Sequence, residues 1–107
     1  MVILTISTNA HPSKRNELLS AIRLFTDVTS QEKGCSGCRI FRDIDDENFI
    51  NLEENWENRS HLDAYFCSDV FSALLGAMKL LGKDHGIRIN GGMPEDGMAA
   101  VEHARKK

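Results

Sequence analysis

A chain of 107 residues with 41% hydrophobic and 27% charged side chains has the size and composition of a single soluble domain with a modest core. Its 13 Lys and Arg against 16 Asp and Glu leave a net charge of −3, which excludes the broad basic footprint of a nucleic-acid binder. No apolar run approaches the ~20 residues that cross a bilayer, so no membrane association is expected.

The chain opens on Val2–Thr8, short, β-branched and apolar, which predicts a buried strand. This opening has neither the basic leader nor the cleavage site of a signal peptide. With three cysteines, an odd number, it points to a cytoplasmic protein carrying free thiols. After "NAHPS", the apolar residues Leu18, Leu19, Ile22, Phe25 and Val28 recur at helical spacing. Ser13 is the expected N-cap of that helix and Gly34 its stop. Cys38–Ile44 and Phe49–Trp56 read as a hairpin around "DDEN". In the second of these strands Ile50, Leu52, Glu54 and Trp56 share one face. Asn58 or Ser60 caps the next helix, which carries Leu62, Tyr65 and Phe66. Ser68 caps a second segment after a kink, with Phe71, Leu74, Leu75, Met78 and Leu81 at helical spacing. "GIRIN", Gly86–Asn90, is the last short strand. Gly91, Gly92 and Pro94 read as a linker, and Glu95–Lys107 as a weakly amphipathic helix through Met98, Val101 and Ala104.

The order β-α-β-β-α-β predicts an α+β, ferredoxin-like protomer with an antiparallel sheet over residues 1–90, followed by a helical tail over 91–107. Helices on one side would leave the other face of the sheet bare. A small domain with an apolar face in water is expected to bury it against a second copy, so a homodimer is predicted.

Several constellations could carry chemistry. Cys35-x-x-Cys38 lacks the second pair that zinc would need. A redox dithiol usually occupies a strand-to-helix turn, whereas this pair leads into a strand, so it reads as two unpaired thiols. Of the four histidines, His61 lies in the first turn of a helix close to Trp56; it is either a surface side chain or a proton acceptor. Glu53 and Glu54 are adjacent on a strand and point to opposite faces, which excludes a glycosidase-type carboxylate pair. Glu54 on an apolar face must pair with a cation or take part in proton chemistry, with a raised pKa if desolvated.

The segment "GCSGCRIFRDIDDENFINLEENWENRSHLDAYFCSDVF" resembles the signature of antibiotic biosynthesis monooxygenase domains. Gly34, Cys35, Arg42, Asp43, Glu54, Trp56, Leu62, Ser68 and Phe71 fall on its positions. The resemblance implies a dimeric α+β barrel with a pocket between sheet and helices and Trp56 on its wall. It also implies oxidation of a small quinol, phenol or enolisable carbonyl by molecular oxygen without metal or other cofactor. Ground-state oxygen is a triplet, so the protein need only bind the substrate, remove its proton and exclude water.

This chain departs from the pattern at informative places. Tyr65 stands where the family usually has His, and Leu52 where the polyketide oxygenases have Asn. Leu75 replaces the iron-ligating His of the haem-degrading branch, while Asn9 matches that branch's first-strand Asn. The expected site therefore has Glu54 or His61 as proton acceptor, Tyr65 and Asn9 as hydrogen-bond donors, and Trp56, Leu52 and Leu75 against the substrate. Loss of the Asn and His leaves two other functions open: a non-catalytic ligand-binding or stress-related dimer, and a small-carbonyl isomerase.

Overall fold

The computed structural model describes residues 1–90 and 97–106. Strands β1 (Val2–Ala10), β2 (Cys35–Arg42), β3 (Phe49–Trp56) and β4 (Gly82–Asn90) form one antiparallel sheet in the order β2-β3-β1-β4. Helix α1 (Arg15–Thr29) links β1 to β2, and α2 (Arg59–Phe66) with α3 (Asp69–Leu81) links β3 to β4. A last helix, α4 (Gly97–Arg105), follows. The chain has the expected α+β, ferredoxin-like fold.

Side-chain alternation positions the core. Along β1 the residues Val2, Leu4, Ile6, Thr8 and Ala10 are buried while their neighbours are partly exposed. Ile50, Leu52, Glu54 and Trp56 alternate in the same way on β3. Residues directly opposed in an antiparallel pair share a face, and the register sets Val2 against Trp56, Leu4 against Glu54 and Ile6 against Leu52. These side chains form one surface. Leu18 and Ile22 of α1, Leu62 and Phe66 of α2, and Phe71, Leu74 and Met78 of α3 complete the buried cluster with it. Each such large apolar side chain contributes about 1.5–3 kcal/mol through burial.

The opposite face of the sheet is not the apolar surface expected. It carries Thr5, Ser7, Asn51, Glu53, Asn55 and Arg88 beside Ile3, Phe49 and Phe41, the last 42% exposed. The face is thus of mixed polarity.

Several boundaries shift. Pro12 opens a 3-10 turn, Pro12–Lys14, so Ser13 lies inside it and caps nothing. The first helix ends at Thr29, and the chain turns before Gly34 adopts φ 90°. The second strand begins three residues early, at Cys35, and the last strand four residues early, at Gly82. The predicted kink is real: Asn58 Oδ1 accepts from the His61 N–H at 2.9 Å and Ser68 Oγ from the Phe71 N–H at 3.2 Å, and the two helices they cap meet at 63°. Among the described residues no single helix is long and apolar enough to cross a membrane.

The expected linker residues Gly91, Gly92 and Pro94 lie outside the described residues, but the helix after them is docked. Val101 and Ala104 are buried, as their spacing predicted. Arg105 Nε donates to the Phe66 carbonyl at 2.8 Å, and its Nη2 donates to Ser72 Oγ at 2.8 Å. Its guanidinium also lies 5.8 Å from the centre of the Phe71 ring. The α2–α3 elbow leaves the Phe66 carbonyl without a helical partner, and Arg105 satisfies it. Replacing Arg105 by alanine is expected to cost about 1–2 kcal/mol, read as a lower urea midpoint with an unchanged slope.

Candidate functional site

Two groups of chemistry-bearing side chains lie on different parts of the sheet, one on the interior strand β3 beneath α2 and the other on the edge strand β4. The first contains three of the residues singled out from the sequence. Glu54 and Trp56 project from β3 toward α2, which brings Tyr65 over them. Trp56 Nε1–H donates to Glu54 Oε1 at 3.4 Å and the Tyr65 hydroxyl donates to Glu54 Oε2 at 3.0 Å. Thr29 Oγ1, at the end of α1, lies 3.4 Å from the same hydroxyl. The indole and phenol rings stack at 4.7 Å with a 32° tilt, and Phe71 meets the phenol ring edge-on at 5.1 Å.

This network is closed to solvent. Glu54 and Trp56 are 0% exposed and Tyr65 is 3% exposed. Of the two fates expected for Glu54, pairing with a cation does not occur: two neutral donors hold it. Burial outweighs those donors and raises its pKa from 4.5 to about 7. Tyr65 is pushed upward by burial and then by the Glu54 charge, so it stays a donor. Cys38, opposite Glu54 across the β2–β3 register, is raised by burial and by the same carboxylate.

Other expected site residues stand apart. Leu52 adjoins Glu54 on the buried face but belongs to the apolar core. His61 packs on Gly34, where a methyl group would overlap the His61 ring, and its Nε2 lies 3.8 Å from Glu57 rather than from Glu54. Asn9 points to the opposite side of the sheet, where it lines a shallow cavity of about 320 Å³ with Asn48, Lys83 and Asp84. It therefore does not join Tyr65 around one substrate oxygen.

Leu75 lines the second group, an apolar cavity of about 330 Å³ bounded by Met78 and Lys79 of α3, His85 and Ile87 of β4, and Met98 of α4. A bulge in β4 opposite Ser7–Asn9 holds Asp84 at φ 53°. His85 Nδ1 lies 2.8 Å from Thr8 Oγ1, which orients the ring. The pKa of His85 is lowered, first by desolvation and then by the positive charge of Lys79, so the imidazole is neutral near pH 7. Sequence reading missed His85 and Lys79. The signals were present: His85 shares two-residue spacing with Ile87 and Ile89, and Lys79 lies four residues beyond Leu75. Among the described residues no group of three or more His, Cys, Asp or Glu side chains is placed to hold a metal ion.

Solved structures of similar fold are numerous. A protein named a candidate antibiotic biosynthesis monooxygenase from Deinococcus radiodurans superposes with a TM-score of 0.81 at 20% identity, covering 89% of this chain and 95% of its own. A similarly named protein from Nitrosomonas europaea gives 0.77 at 17% identity, covering 87% and 99%. A conserved protein from Methanosarcina mazei gives 0.77 at 20% identity, covering 87% and 94%. At these identities the likeness establishes the fold. No functionally curated protein matches the chain. The model of the antibiotic biosynthesis monooxygenase family matches residues 1–76, which span the sheet up to β3 and the closed Glu54 network, and the chain belongs to that family.

Proposed function

We propose that the protein binds a small phenol, quinol or enolisable carbonyl in the cavity between α3, β4 and α4 and oxidises it with molecular oxygen. The observation that carries this reading is a neutral imidazole and an ammonium group, His85 and Lys79, on the wall of an otherwise apolar cavity of about 330 Å³. His85 then takes the part of proton acceptor first assigned to Glu54 or His61, and the closed network of Glu54, Trp56 and Tyr65 stays outside the cavity wall.

The chemistry follows from those two groups. His85, held through Nδ1 by Thr8, accepts the substrate hydroxyl proton at Nε2. Lys79, exposed like His85 at the rim of the cavity, stabilises the resulting oxyanion by its charge, while Leu75, Met78, Ile87 and Met98 supply the apolar contacts to the substrate. The anion gives one electron to oxygen, the substrate radical and superoxide combine to a peroxide anion, and the proton held by His85 returns to make the hydroperoxide. At a ring carbon bearing hydrogen this loses water and leaves a carbonyl. Substrate and oxygen thus supply all the electrons, and oxygen ends as one carbonyl oxygen and one water.

Oxygen uptake and product formation with simple hydroquinones, in air and under argon, test the reading. His85→Gln should lower turnover by about 100-fold with substrate binding little changed. Lys79→Met should raise KM. Equal activity of His85→Gln and the parent chain would remove His85 from the mechanism. Turnover under argon would identify the isomerase instead. A second reading, ligand binding without turnover, is favoured by the complete burial of Glu54 and Trp56, which keeps the carboxyl first expected to act as proton acceptor from any ligand. It predicts saturable binding with no oxygen uptake.

A homodimer is part of the proposal. The open sheet face bears a cavity of about 360 Å³ lined by Thr5, Ser7, Phe49, Asn51, Ile87 and Arg88, a surface of mixed polarity suited to pairing through both hydrogen bonds and apolar contact. Sedimentation should give twice the 12.0 kDa of one chain.

A further inference from the structure

We propose that Cys35 and Cys38 form a thiol–disulfide exchange site, with Glu54 as proton acceptor for its second sulfur. This proposal is independent of the cavity chemistry at the other edge of the sheet. The sequence reads the pair as two unpaired thiols leading into a strand, and residues three apart on a regular strand would point to opposite faces. A bulge removes that objection. Cys35 pairs with Trp56 and Cys38 with Glu54, while Gly37 pairs with Asn55, so Ser36 is the extra residue on β2. Trp56 and Glu54 lie two apart on β3, and both point to the helix side. The two cysteines therefore point there as well, and their sulfurs lie 3.8 Å apart.

Both thiols are partly exposed, on a strand at the edge of the sheet. A bond between them requires the sulfurs to close to about 2.05 Å. Gly37, between them, has nothing within 4 Å of where a side chain would start, which leaves the bulge room to adjust. The titratable groups facing Cys38 are Glu54 from β3, Cys35 from its own strand and Tyr65 from α2. Tyr65 remains protonated, and no cation among the described residues contacts Glu54. Among the described residues Glu54, opposite Cys38 in the strand register, is therefore the base placed to take the Cys38 proton.

The oxidant is a low-molecular-weight disulfide. The Cys35 thiolate attacks one of its sulfurs, the small S–S bond breaks, and one small thiolate leaves. Cys38 then passes its proton to the Glu54 carboxylate, and its sulfur attacks Cys35 Sγ. The Cys35–Cys38 bond forms and the second small thiolate leaves. Two protein thiols lose two electrons, and the oxidant gains them as two small thiols, which end with the two protons.

The full chain carrying Cys67→Ser, exposed to oxidised and reduced glutathione mixtures, tests this. The expected product has lost two hydrogen masses and yields a peptide linking Cys35 to Cys38. Its single tryptophan, Trp56, should dim as the disulfide forms beside it. Cys38→Ser should trap one glutathione on Cys35. Glu54→Gln should leave the first step unchanged and slow closure of the mixed disulfide by about tenfold at pH 7, with Glu54→Asp restoring part of the rate. A glutathione adduct that persists on Cys35 in the parent chain overturns the site. Closure at the parent rate in Glu54→Gln, shown folded by circular dichroism, overturns the part given to Glu54.

Discussion

Glu54→Gln is expected to leave stability unchanged at pH 4 and raise it by about 3 kcal/mol at pH 8. The carboxyl has a pKa of about 7 in the fold, against 4.5 in the unfolded chain, because burial disfavours its charge. Below pH 4.5 it is protonated in both states, and its contribution to stability is complete. Between those values the unfolded chain releases a proton that the native state retains, so stability falls as pH rises and levels off above pH 7. Glutamine removes this slope and keeps the network. Its carbonyl accepts from the Trp56 N–H, its amide donates to the Tyr65 oxygen, and the Tyr65 hydroxyl turns to Thr29 Oγ1, 3.4 Å away. Urea unfolding of both proteins from pH 4 to pH 9 gives the difference directly. Parallel stability curves would show that the carboxyl does not titrate inside this pH window.

Trp56→Ala should lower stability by about 3–5 kcal/mol, a large part of the 5–15 kcal/mol typical of a domain. The side chain is 0% exposed and stacks on Tyr65, so its removal leaves a cavity under α2. It also leaves Glu54 with one donor in place of two. Trp56→Phe separates these effects. It keeps most of the packing and loses the N–H, at a cost of about 1–2 kcal/mol that should grow with pH as the carboxyl charges. If the two variants unfold at the same urea concentration, ring volume is not what Trp56 supplies.

The fold was legible because its periodicities are clean. The strand Phe49–Trp56 alternates without a break, and the core residues of α1, α2 and α3 keep helical spacing. The two capped helices separated at Ser68 were readable from side-chain chemistry alone. The site was less so. Glu54, Trp56 and Tyr65 were found, and they meet, but spacing cannot tell a pocket wall from a closed core. Asn9 and Glu54 lie on one strand pair yet face opposite sides of the sheet, a consequence of register that no single segment reveals. The two features that most changed the reading, the bulges at Ser36 and Asp84, are insertions in pairing. A bulge is defined by two strands at once, so a motif read along one strand misses it. Thus Cys35 and Cys38 read as two unpaired thiols with the strand begun at Cys38, and the last strand was begun at Gly86, one residue after His85.

The stretch that marks the family ends at residue 76, whereas Met78, Lys79, His85, Ile87 and Met98 come after it. Leu75 excepted, the cavity wall is thus encoded beyond the stretch that marks the family. Met78 also belongs to the core and β4 to the sheet, so only the exposed positions of that wall, Lys79, His85 and Met98, can change without disturbing the packing beneath them.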